Sequence, residues 1–456
     1  MERAIVKPRT LKGFRDYLPE IMIPRERLME QSRETFRSFG FIPIDTPSLE
    51  YLDILSGKGS DETDKQLYHF TDHGGRAVGL RFDLTVPLAR FVAQHINNIK
   101  MPFKRYHLGT VWRGENTQAG RYREFVQCDF DTIGTDSVLS DIELILVINS
   151  LLTKIGVKRF SIRINSRQIL SGLLDALGLA CKTVPLLRCL DKLGKIGRQK
   201  TAEEMVSHAS ISAAQADAIL SLSDFTGRPE VVLTELSNAI GGNRDAELGI
   251  DRLDQIITGS IAGGVPSDRL ILDVSIARGL DYYTGVVVET ILDDLPGLGS
   301  ICSGGRYDNL TGVFTDQHLP GVGASLGLDR LIVALEKLGE ISASTTTASV
   351  FIPFFDASRR NDYLRLAMIL RTYGINVELY SESRKLSSQL RHADERGFGV
   401  AIILGEREWD AGCAQLKDLK RNTAITCRYS HQEPFEILHA VRSILDKPPS
   451  VAAYKA

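Results

Sequence analysis

The sequence predicts an α+β protein in which an antiparallel sheet carries a helical insertion and is followed by a separate α/β domain. Two strand-like stretches, 102–112 and 125–133, flank a polar, glycine-containing segment, which indicates a long-looped hairpin. Residues 171–259 are rich in Leu, Ala, Ser and charged side chains at helical spacing, as in a helical insertion. After the small-residue run 342–347, strand-like and helical stretches alternate, which predicts an α/β domain with a partly parallel sheet.

The length and composition fit this organisation. A chain of 456 residues provides about two to four domains of roughly 100 to 200 residues each. The 43% hydrophobic and 25% charged content, with no apolar run near the roughly 18 residues of a membrane span, predicts a soluble protein with no membrane partner. No apolar segment typical of a secretory signal follows Met1–Pro8, so we expect a cytoplasmic location. We predict a main domain at 1–170 and 261–341, an insertion at 171–260, a linker at 342–348, a C-terminal domain at 349–446 and a tail at 447–456.

Cysteines and net charge exclude some classes of protein. The six cysteines lie far apart and form no C-x-x-C pair, which argues against a zinc cluster and against a disulfide framework. We expect them to be reduced packing residues. The formal charge of -2 argues against binding nucleic acid over the whole surface, so any such contact needs a local basic region.

The remaining elements follow from periodicity and from breaker residues. Arg25–Phe39 has helical spacing after Pro24, which we place in the first turn, and Gly40 ends it. We expect further strands at 41–45, 77–82, 270–275, 285–292, 300–302, 350–353, 376–380 and 400–404. We expect further helices at 85–96, 359–373 and 385–396.

The hairpin carries the first group of functional side chains, because alternate residues of a strand share a face. One face of its second strand has an aromatic ring, an amide and two carboxylates, from Phe125, Gln127, Asp129 and Asp131. The opposing strand presents on one face Arg105, His107, Gly109, Val111 and Arg113. Gly109 leaves space, and the connecting loop adds Arg121 and Arg123. This set suits an anionic ligand that also carries a planar ring and a cationic amine.

Three later segments add to this set. Ala277–Gly285 combines an arginine, a glycine and two adjacent tyrosines, which can bind a phosphate or carboxylate and donate from two phenols. The glycines of Ser303–Asp308 let the backbone approach a ligand closely. Gly321–Arg330 is a small-residue strand that runs into a helix beginning near Leu326, so Arg330 would face an anion at the helix start. Because neither a P-loop nor a complete dinucleotide fingerprint is present, arginines would have to bind phosphate.

Taken in order, these segments resemble the signature motifs of class II aminoacyl-tRNA synthetases, and specifically the histidyl-tRNA synthetase family. Motif 1 is similar to 25–47, motif 2 to 103–134 and motif 3 to 321–331. The run Arg278–Tyr283 and its companion Ser303–Asp308 resemble the histidine signatures. The resemblance implies an antiparallel class II catalytic domain with a helical insertion and, from 394–419, a C-terminal anticodon-binding domain.

The resemblance also implies residue roles. For ATP, Arg113 would hold the α-phosphate, Glu115 would contact the adenine, Phe125 would stack on it, Arg121 would reach the terminal phosphates and Arg330 would bind the γ-phosphate. For histidine, the α-amino group would be bound by Asp83, Thr85 and Gln127, and the imidazole would be read by Asp131 and Tyr283, with Tyr282 beside them. Arg278 would bridge the amino-acid carboxylate and the α-phosphate. Because a carboxylate is already a nucleophile at neutral pH, the reaction needs positioning and charge neutralisation, so Arg113 and Arg278 are the predicted catalytic residues.

Some positions depart from the family pattern. Asp83 and Asp131 are shorter acids than the glutamates of many bacterial members, and the loop Glu115–Gly120 lacks their Arg-Pro-Gln. The basic stretch 181–200 is either a solvated helix face or, within a helical insertion, a source of tRNA phosphate contacts, for which Lys192, Lys195 and Arg198 are the candidates.

The resemblance implies ATP-dependent ligation of L-histidine to tRNA(His) through a histidyl-adenylate, supported by Mg²⁺ whose protein ligands are not identified, in a homodimer formed through motif 1. One alternative is a non-catalytic paralogue, the regulatory subunit of a phosphoribosyltransferase in histidine biosynthesis. Such paralogues usually lack the C-terminal domain and have a degraded histidine signature, whereas both are present here. A ligase that releases a free aminoacyl adenylate would not need residues 349–446.

Overall fold

The computed structural model describes residues 6–57, 64–118, 120–240, 242–276, 283–341, 345–430 and 434–446. The chain forms two compact units. One comprises Met1–Asp16 and Arg27–Ile341, and the other comprises Tyr17–Glu26 and Ser342–Ala456. Among the described residues, no helix is both long and apolar enough to cross a membrane.

A nine-stranded sheet forms the centre of the first unit. Its order is β1-β5-β6-β12-β11-β10-β7-β9-β8. The strands are β1 (Ile42–Pro43), β5 (Phe103–Trp112), β6 (Glu124–Ile133), β7 (Phe160–Ser166), β8 (Thr226–Gly227), β9 (Leu270–Asp273), β10 (Val286–Leu292), β11 (Cys302–Tyr307) and β12 (Gly321–Gly327). The run from β5 to β7 is antiparallel throughout, and β1 and β9 join it in parallel. The antiparallel α+β class is therefore confirmed.

A small antiparallel sheet precedes β5 in the chain. It has the order β2-β4-β3, from β2 (Leu49–Tyr51), β3 (His69–Thr71) and β4 (Ala77–Leu80). Helix Leu52–Leu55 follows β2 and helix Thr85–Gln94 follows β4. The buried face of the second helix packs on Phe103, Ile133 and Tyr307, which places its first turn beside β5, β6 and β11.

The first helix is longer than the sequence predicts. It spans Pro19–Ser38, so Pro24 lies inside it and the prediction of Pro24 as a first-turn residue is wrong. Pro19 is the first helical residue instead, where a missing N–H has no intrahelical partner to lose. Gly40 follows with a φ of 79°, in the left-handed region that favours glycine, and the chain turns there into β1.

Helices dominate residues 167–262, as expected for the insertion. They span Arg167–Ala176, Thr183–Leu190, Leu193–Ile196, Arg198–Ala209, Ala213–Leu222, Pro229–Ile240 and Arg244–Ala262, with a 3₁₀ turn at Ala180–Lys182. Residues 181–200 belong to several short helices and not to one continuous helix. Gly197, with a φ of 80°, separates the last two of them. The short strand β8 also lies here and pairs with β9.

The remaining helices of the first unit flank the sheet in the chain. Val138–Ile155 leads into β7, and Leu328–Lys337 follows β12, two residues later than predicted. Short 3₁₀ turns occur at Ser267–Arg269, Pro296–Leu298 and Thr311–Val313. The predicted strand 300–302 overlaps β11 only at Cys302, since β11 begins there and continues to Tyr307 through the paired glycines Gly304 and Gly305.

The second unit contains a five-stranded sheet of order β14-β13-β15-β16-β17. Its strands are β13 (Val350–Ile352), β14 (Val377–Leu379), β15 (Val400–Ile403), β16 (Cys413–Asp418) and β17 (Thr423–Arg428). Its helices span Ala357–Arg359 (3₁₀), Arg360–Thr372, Leu386–Glu395, Glu406–Asp410 and Phe435–Leu445. The pairs of β13 with β14 and β15 are parallel and the other two are antiparallel, which confirms the partly parallel α/β sheet.

Candidate active site

Two adjoining cavities open over the middle of the nine-stranded sheet. The larger, of about 340 Å³, is lined by seven of the predicted ligand-binding residues, Asp83, Thr85, Arg113, Gln127, Asp131, Tyr283 and Arg330. The smaller, of about 130 Å³, is lined by the other three that the structure describes, Glu115, Arg121 and Phe125. Both cavities share Arg113, Gln127 and Arg330. The fold thus brings together residues that are up to 247 positions apart, from Asp83 to Arg330.

The register of β5 and β6 determines which charged side chains meet. Arg105 lies opposite Asp131, and His107 lies opposite Asp129. The Arg105 side chain is fully buried, and its Nη2 is 2.6 Å from Asp131 Oδ2. The Tyr307 hydroxyl, from β11, donates to Asp131 Oδ1. A buried cation and a phenol therefore fix the orientation of Asp131.

Asp83 lies where β4 leads into helix Thr85–Gln94. Its Oδ1 accepts hydrogen bonds from the backbone N–H groups of Thr85 (3.1 Å) and Val86 (2.9 Å). These are donors of the first helical turn that have no intrahelical partner, so one oxygen of Asp83 is used to cap the helix. The side chain is buried, and this burial raises the pKa of Asp83.

Gln127 and Asp129 are joined through β12. Gln127 Nε2 donates to Ser325 Oγ at 2.7 Å, and the Ser325 hydroxyl hydrogen-bonds to Asp129. Desolvation raises the pKa of Asp129 to about 7, against the opposing effects of Arg105 and of this hydroxyl. Since Asp129 lines the larger cavity, a second buried carboxylate lies between the positions of Gln127 and Asp131 on the same strand face.

Arg113 connects the two cavities. Its guanidinium carbon lies 4.4 Å from the centre of the Phe82 ring and 5.2 Å from that of the Phe125 ring. Nε donates to the Phe82 carbonyl at 3.1 Å. Two aromatic contacts and one backbone bond hold the guanidinium where an anion in either cavity can reach it.

Arg330 lies in the first turn of helix Leu328–Lys337, as predicted. Its Nη1 donates to the Ser300 carbonyl. The adjacent Asp329 accepts a hydrogen bond from the Val126 backbone at 2.9 Å and forms an ion pair with Arg15 at 3.3 Å. The start of the helix is thereby fixed to β6, with an arginine at its positive end that lines both cavities.

The loop between β5 and β6 supplies the outer wall of the smaller cavity. Glu115 and Arg121 face each other there, with 3.6 Å between Arg121 Nη1 and Glu115 Oε2. Both side chains are partly exposed. An incoming ligand can therefore reach them without breaking a buried ion pair.

Glycines allow the strands to approach the site closely. A Cβ added at Gly323, opposite Asp131 in the sheet, would lie 2.0 Å from Asp131 Oδ1, and one at Gly305 would lie 2.9 Å from the Tyr283 ring. Gly109 has a different role from the predicted ligand space. A Cβ there would lie 2.7 Å from Arg81 Nη2, so Gly109 accommodates the Arg81 guanidinium.

Electrostatics in the larger cavity are dominated by burial. Desolvation raises the pKa of Asp131 and of Tyr283, so the phenol stays protonated. Burial, with Arg105 and Arg81 nearby, lowers the pKa of His107 to about 4 although its Nε2 is 2.9 Å from Asp45. His107 is therefore neutral at pH 7, and Arg105 is the buried cation opposite the acids.

Sequence reasoning assigned no role to two residues of this site, Tyr307 and Ser325. Tyr307 lies inside the companion run Ser303–Asp308, so a signal was present for it. Arg105 lies on the strand face that was expected to oppose the acids. Ser325 lies within the small-residue strand β12, where only the sheet register shows its bond to Gln127.

Several predicted site residues lie outside this description. Arg278 and Tyr282 are not among the described residues, and neither is the Lys195 side chain. Lys192 pairs with Glu204 at 2.7 Å, and Arg198 pairs with Asp217 at 3.2 Å and with Asp224. Within the part of the chain that the structure describes, no group of three or more His, Cys, Asp or Glu side chains is arranged to hold a metal ion.

Comparisons with known proteins cover both units of the chain. Residues 13–331 match the family model for histidyl-tRNA synthetase, and residues 350–433 match an anticodon binding domain. A histidine–tRNA ligase of Rhodopirellula baltica is 62% identical over 96% of this chain and 99% of the relative, and one of Wolinella succinogenes is 43% identical over 97% and 99%.

A solved structure is similar in fold. The crystal structure of histidyl-tRNA synthetase from Nostoc sp. PCC 7120 has 33% sequence identity and a TM-score of 0.86, with 96% of this chain and 100% of that chain covered. Family model, relatives and fold therefore agree over both units, and the chain belongs to the histidyl-tRNA synthetase family.

Proposed function

We propose that this protein joins L-histidine to tRNA(His), using ATP to form a histidyl-adenylate and releasing AMP and pyrophosphate. The observation that carries the proposal is the pair of adjoining cavities. One is lined by buried carboxylates suited to a small cationic amino acid, the other has an aromatic wall, and Arg113 and Arg330 line both. A reaction that joins a carboxylate to the α-phosphate of a nucleotide needs such a junction.

For ATP, the smaller cavity supports the assignments made from the motifs. Phe125 would stack on the adenine and Glu115 would contact its edge, while Arg113 would hold the α-phosphate. Arg330 and Arg121 would bind the outer phosphates. Of these, the Arg113 guanidinium is the most constrained, because two rings and a carbonyl hold it before ATP binds.

For histidine, the larger cavity supports the remaining assignments. Asp131 would accept from an imidazole N–H, with Tyr283 at the other ring nitrogen, and Asp83, Thr85 and Gln127 would bind the α-amino group. The contacts of Asp131 with Arg105 and Tyr307 would keep its carboxylate in place when the site is empty. An amino acid without a ring N–H would leave a buried acceptor unpaired, which favours rejection.

In the proposed reaction, a carboxylate oxygen of histidine attacks the α-phosphorus, and the bond to pyrophosphate breaks. No general base is required, because the attacking oxygen carries no proton. Arg113, with Arg278 from the histidine signature, would neutralise the charge on the α-phosphate oxygens. A terminal ribose hydroxyl of the tRNA would then attack the carbonyl carbon and release AMP.

Mg²⁺ would accompany ATP by neutralising its phosphate oxygens. We assign it no protein ligands. Two carboxylates of the larger cavity already have strong partners among the described residues. Asp83 is bonded to the start of a helix, and Asp131 is ion-paired with Arg105. This donor set fits a Mg²⁺ ion held mainly by phosphates and water.

The predicted partners follow from the second unit and from the surface. The matched anticodon binding domain supports binding of tRNA(His). Contacts from Lys192, Lys195 and Arg198 to tRNA stay a prediction. Neutral substitutions at these positions should make the plot of log affinity against log salt concentration less steep. The slope should fall by about 0.9 for each duplex phosphate that is no longer neutralised. Lys192 and Arg198 would have to exchange their ion pairs with acidic side chains for phosphate.

A homodimer through motif 1 also stays a prediction. Exposed apolar side chains on β1, β2 and β3 support it, since Ile42, Leu49, Tyr51 and Phe70 are each 40% or more exposed. The predicted domain boundaries and the cytoplasmic location are likewise retained as predictions. Light scattering of the purified protein, with Ile42→Glu as the variant, measures the oligomeric state.

The deciding experiment is ATP–pyrophosphate exchange with each amino acid. We expect exchange that depends on histidine, followed by transfer to tRNA(His). Folded protein supplied with Mg²⁺ that shows no exchange with any amino acid would favour the alternative, the regulatory paralogue of histidine biosynthesis. The matched anticodon binding domain and the arginines lining both cavities favour the ligase.

A further inference from the structure

Besides the Asp131 oxygen that is paired with Arg105, two buried acceptors on the β6 face of the larger cavity have no hydrogen-bond donor among the described residues. They are Gln127 Oε1 and Asp129 Oδ1. Gln127 and Asp129 are 8% and 2% exposed, and both line the cavity. Because an unpaired buried acceptor costs free energy, two on one strand face indicate a ligand that brings donors.

The surrounding groups determine which donor fits. Five carboxylates line this cavity, those of Asp83, Asp129, Asp131, Asp191 and Glu289. The cations are Arg113 and Arg330 in the lining and Arg105 behind Asp131, whereas the opposing His107 is neutral at pH 7. The described lining thus has more acidic groups than arginines, and a cationic ligand would favour the ionised form of these buried acids.

Asp129 and Asp131 have different hydrogen-bond partners, and this difference indicates which end of an amino acid each carboxylate would bind. Ser325 joins Asp129 to Gln127 by hydrogen bonds, whereas Asp131 has its own partners, Arg105 and Tyr307. One oxygen of Asp83 is occupied by the start of a helix. Asp83 therefore has one carboxylate oxygen left for the ligand, and an ammonium group with three donors needs further acceptors.

We propose that Asp129, together with the Gln127 side-chain carbonyl, accepts hydrogen bonds from the α-ammonium group of the amino-acid substrate. The inference rests on the proposed function for the substrate's identity. An ammonium group has three donors and no acceptor, which matches two unpaired acceptors beside the Thr85 hydroxyl in the cavity lining. Asp129 then adds a second carboxylate to Asp83, one oxygen of which is already bonded to the start of a helix.

The test uses two fragments of histidine. L-Histidinol keeps the amine and lacks the carboxylate, and imidazolepropionate keeps the ring and the carboxylate and lacks the amine. Calorimetric binding to the full-length protein is compared for the parent, Asp129→Asn and Asp131→Asn, with the exposed Asp251→Asn as the control. Asp129→Ser is a second variant, and denaturant unfolding of each confirms the fold.

We expect Asp129→Asn to weaken histidinol about tenfold to a hundredfold, the effect of losing a charged hydrogen-bond partner, and to change imidazolepropionate less than about threefold. Asp131→Asn should weaken both. Equal effects of Asp129→Asn on both fragments, or no effect on histidinol, would overturn the inference. Because binding requires no turnover, a parent that binds histidinol and performs no exchange would refute the proposed ligase and leave this assignment supported.

Discussion

Burial of the Asp129 carboxylate makes the stability of this protein depend on pH. The folded state holds the pKa of Asp129 at about 7, mainly through desolvation and against Arg105, whereas the ordinary value is 3.8. Between these two values the folded state binds one more proton than the unfolded state, so this group's contribution to stability falls as pH rises toward 7. Well above pH 7 the buried charge is present in full.

Asp129→Asn should remove this dependence. Relative to the parent, we expect the variant's free energy of unfolding to increase by about 2 to 3 kcal/mol on going from pH 5 to pH 8, because two pKa units correspond to about 2.7 kcal/mol. Urea unfolding at both pH values measures it. Asp251→Asn, at an exposed helix position, should show no such change. A pH-independent difference between parent and Asp129→Asn would mean that Asp129 is ionised normally.

Arg278 is the second single residue for which we predict an effect, and its assignment depends on the histidine signature alone. Arg278→Ala should lower the adenylation rate about 10²- to 10³-fold, since the side chain would act as the α-phosphate gains charge in the transition state. ATP affinity should change little, because Arg113 and Arg330 remain. Single-turnover adenylate formation and ATP binding measure the two effects.

Lysine at position 278 should restore little of that activity, because an ammonium group cannot bridge carboxylate and phosphate as a planar guanidinium can. A folded Arg278→Ala protein that forms adenylate at the parental rate would remove the catalytic role. It would also remove the main sequence argument against the regulatory paralogue.

Strand pairing determines the shape of the larger cavity. Gly323 of β12 lies opposite Asp131 of β6, and a Cβ there would lie 2.0 Å from Asp131 Oδ1 and 2.6 Å from the Phe130 carbonyl. A backbone carbonyl within a central sheet cannot shift by the ångström that this contact requires. The glycine therefore keeps the carboxylate and the two strands in register.

Gly323→Ala should raise the KM for histidine in pyrophosphate exchange by at least tenfold and destabilise the protein by about 1 to 3 kcal/mol, as overpacking does. Gly312→Ala is the matched control, since nothing lies within 4 Å of a Cβ there. We expect the control to match the parent in both measurements. A parental KM in Gly323→Ala would show that the position of Asp131 does not determine histidine binding.

The sequence indicates some of these elements better than others. The second strand of the β5–β6 hairpin was predictable because polar and apolar residues alternate from Gln127 to Asp131. That alternation also predicted that Gln127, Asp129 and Asp131 share a face, and all three line the larger cavity. The extent of β11 was not, because Gly304 and Gly305 have low strand propensity and are paired here only through tertiary contacts. The Ser325 bond to Gln127 also depends on sheet register, which no local pattern encodes.

At the scale of the whole molecule, the C-terminal α/β domain has a hydrophobic core of its own. The buried residues of that core run from Val350 to Ile444, and they come from the β13–β17 sheet and the helices around it. The cavities of the candidate active site are lined by residues of the other unit alone. We therefore expect adenylation and tRNA selection to depend on separate sets of residues.

Deleting residues 349–456 should therefore preserve histidine-dependent pyrophosphate exchange within about threefold and lower tRNA charging by at least a hundredfold. Exchange needs only the two cavities, whereas charging needs tRNA to be bound, and the matched anticodon domain lies in the deleted part. Both activities are measured on the same preparation, after unfolding has shown a cooperative transition. Segment Tyr17–Glu26 belongs to the same compact unit as the deleted residues, but it remains in the truncated protein. The full-length Pro24→Ala variant therefore tests whether a change in that segment alone affects exchange. Equal loss of exchange and charging in a folded truncation, with Pro24→Ala unaffected, would show that the C-terminal domain takes part in adenylation.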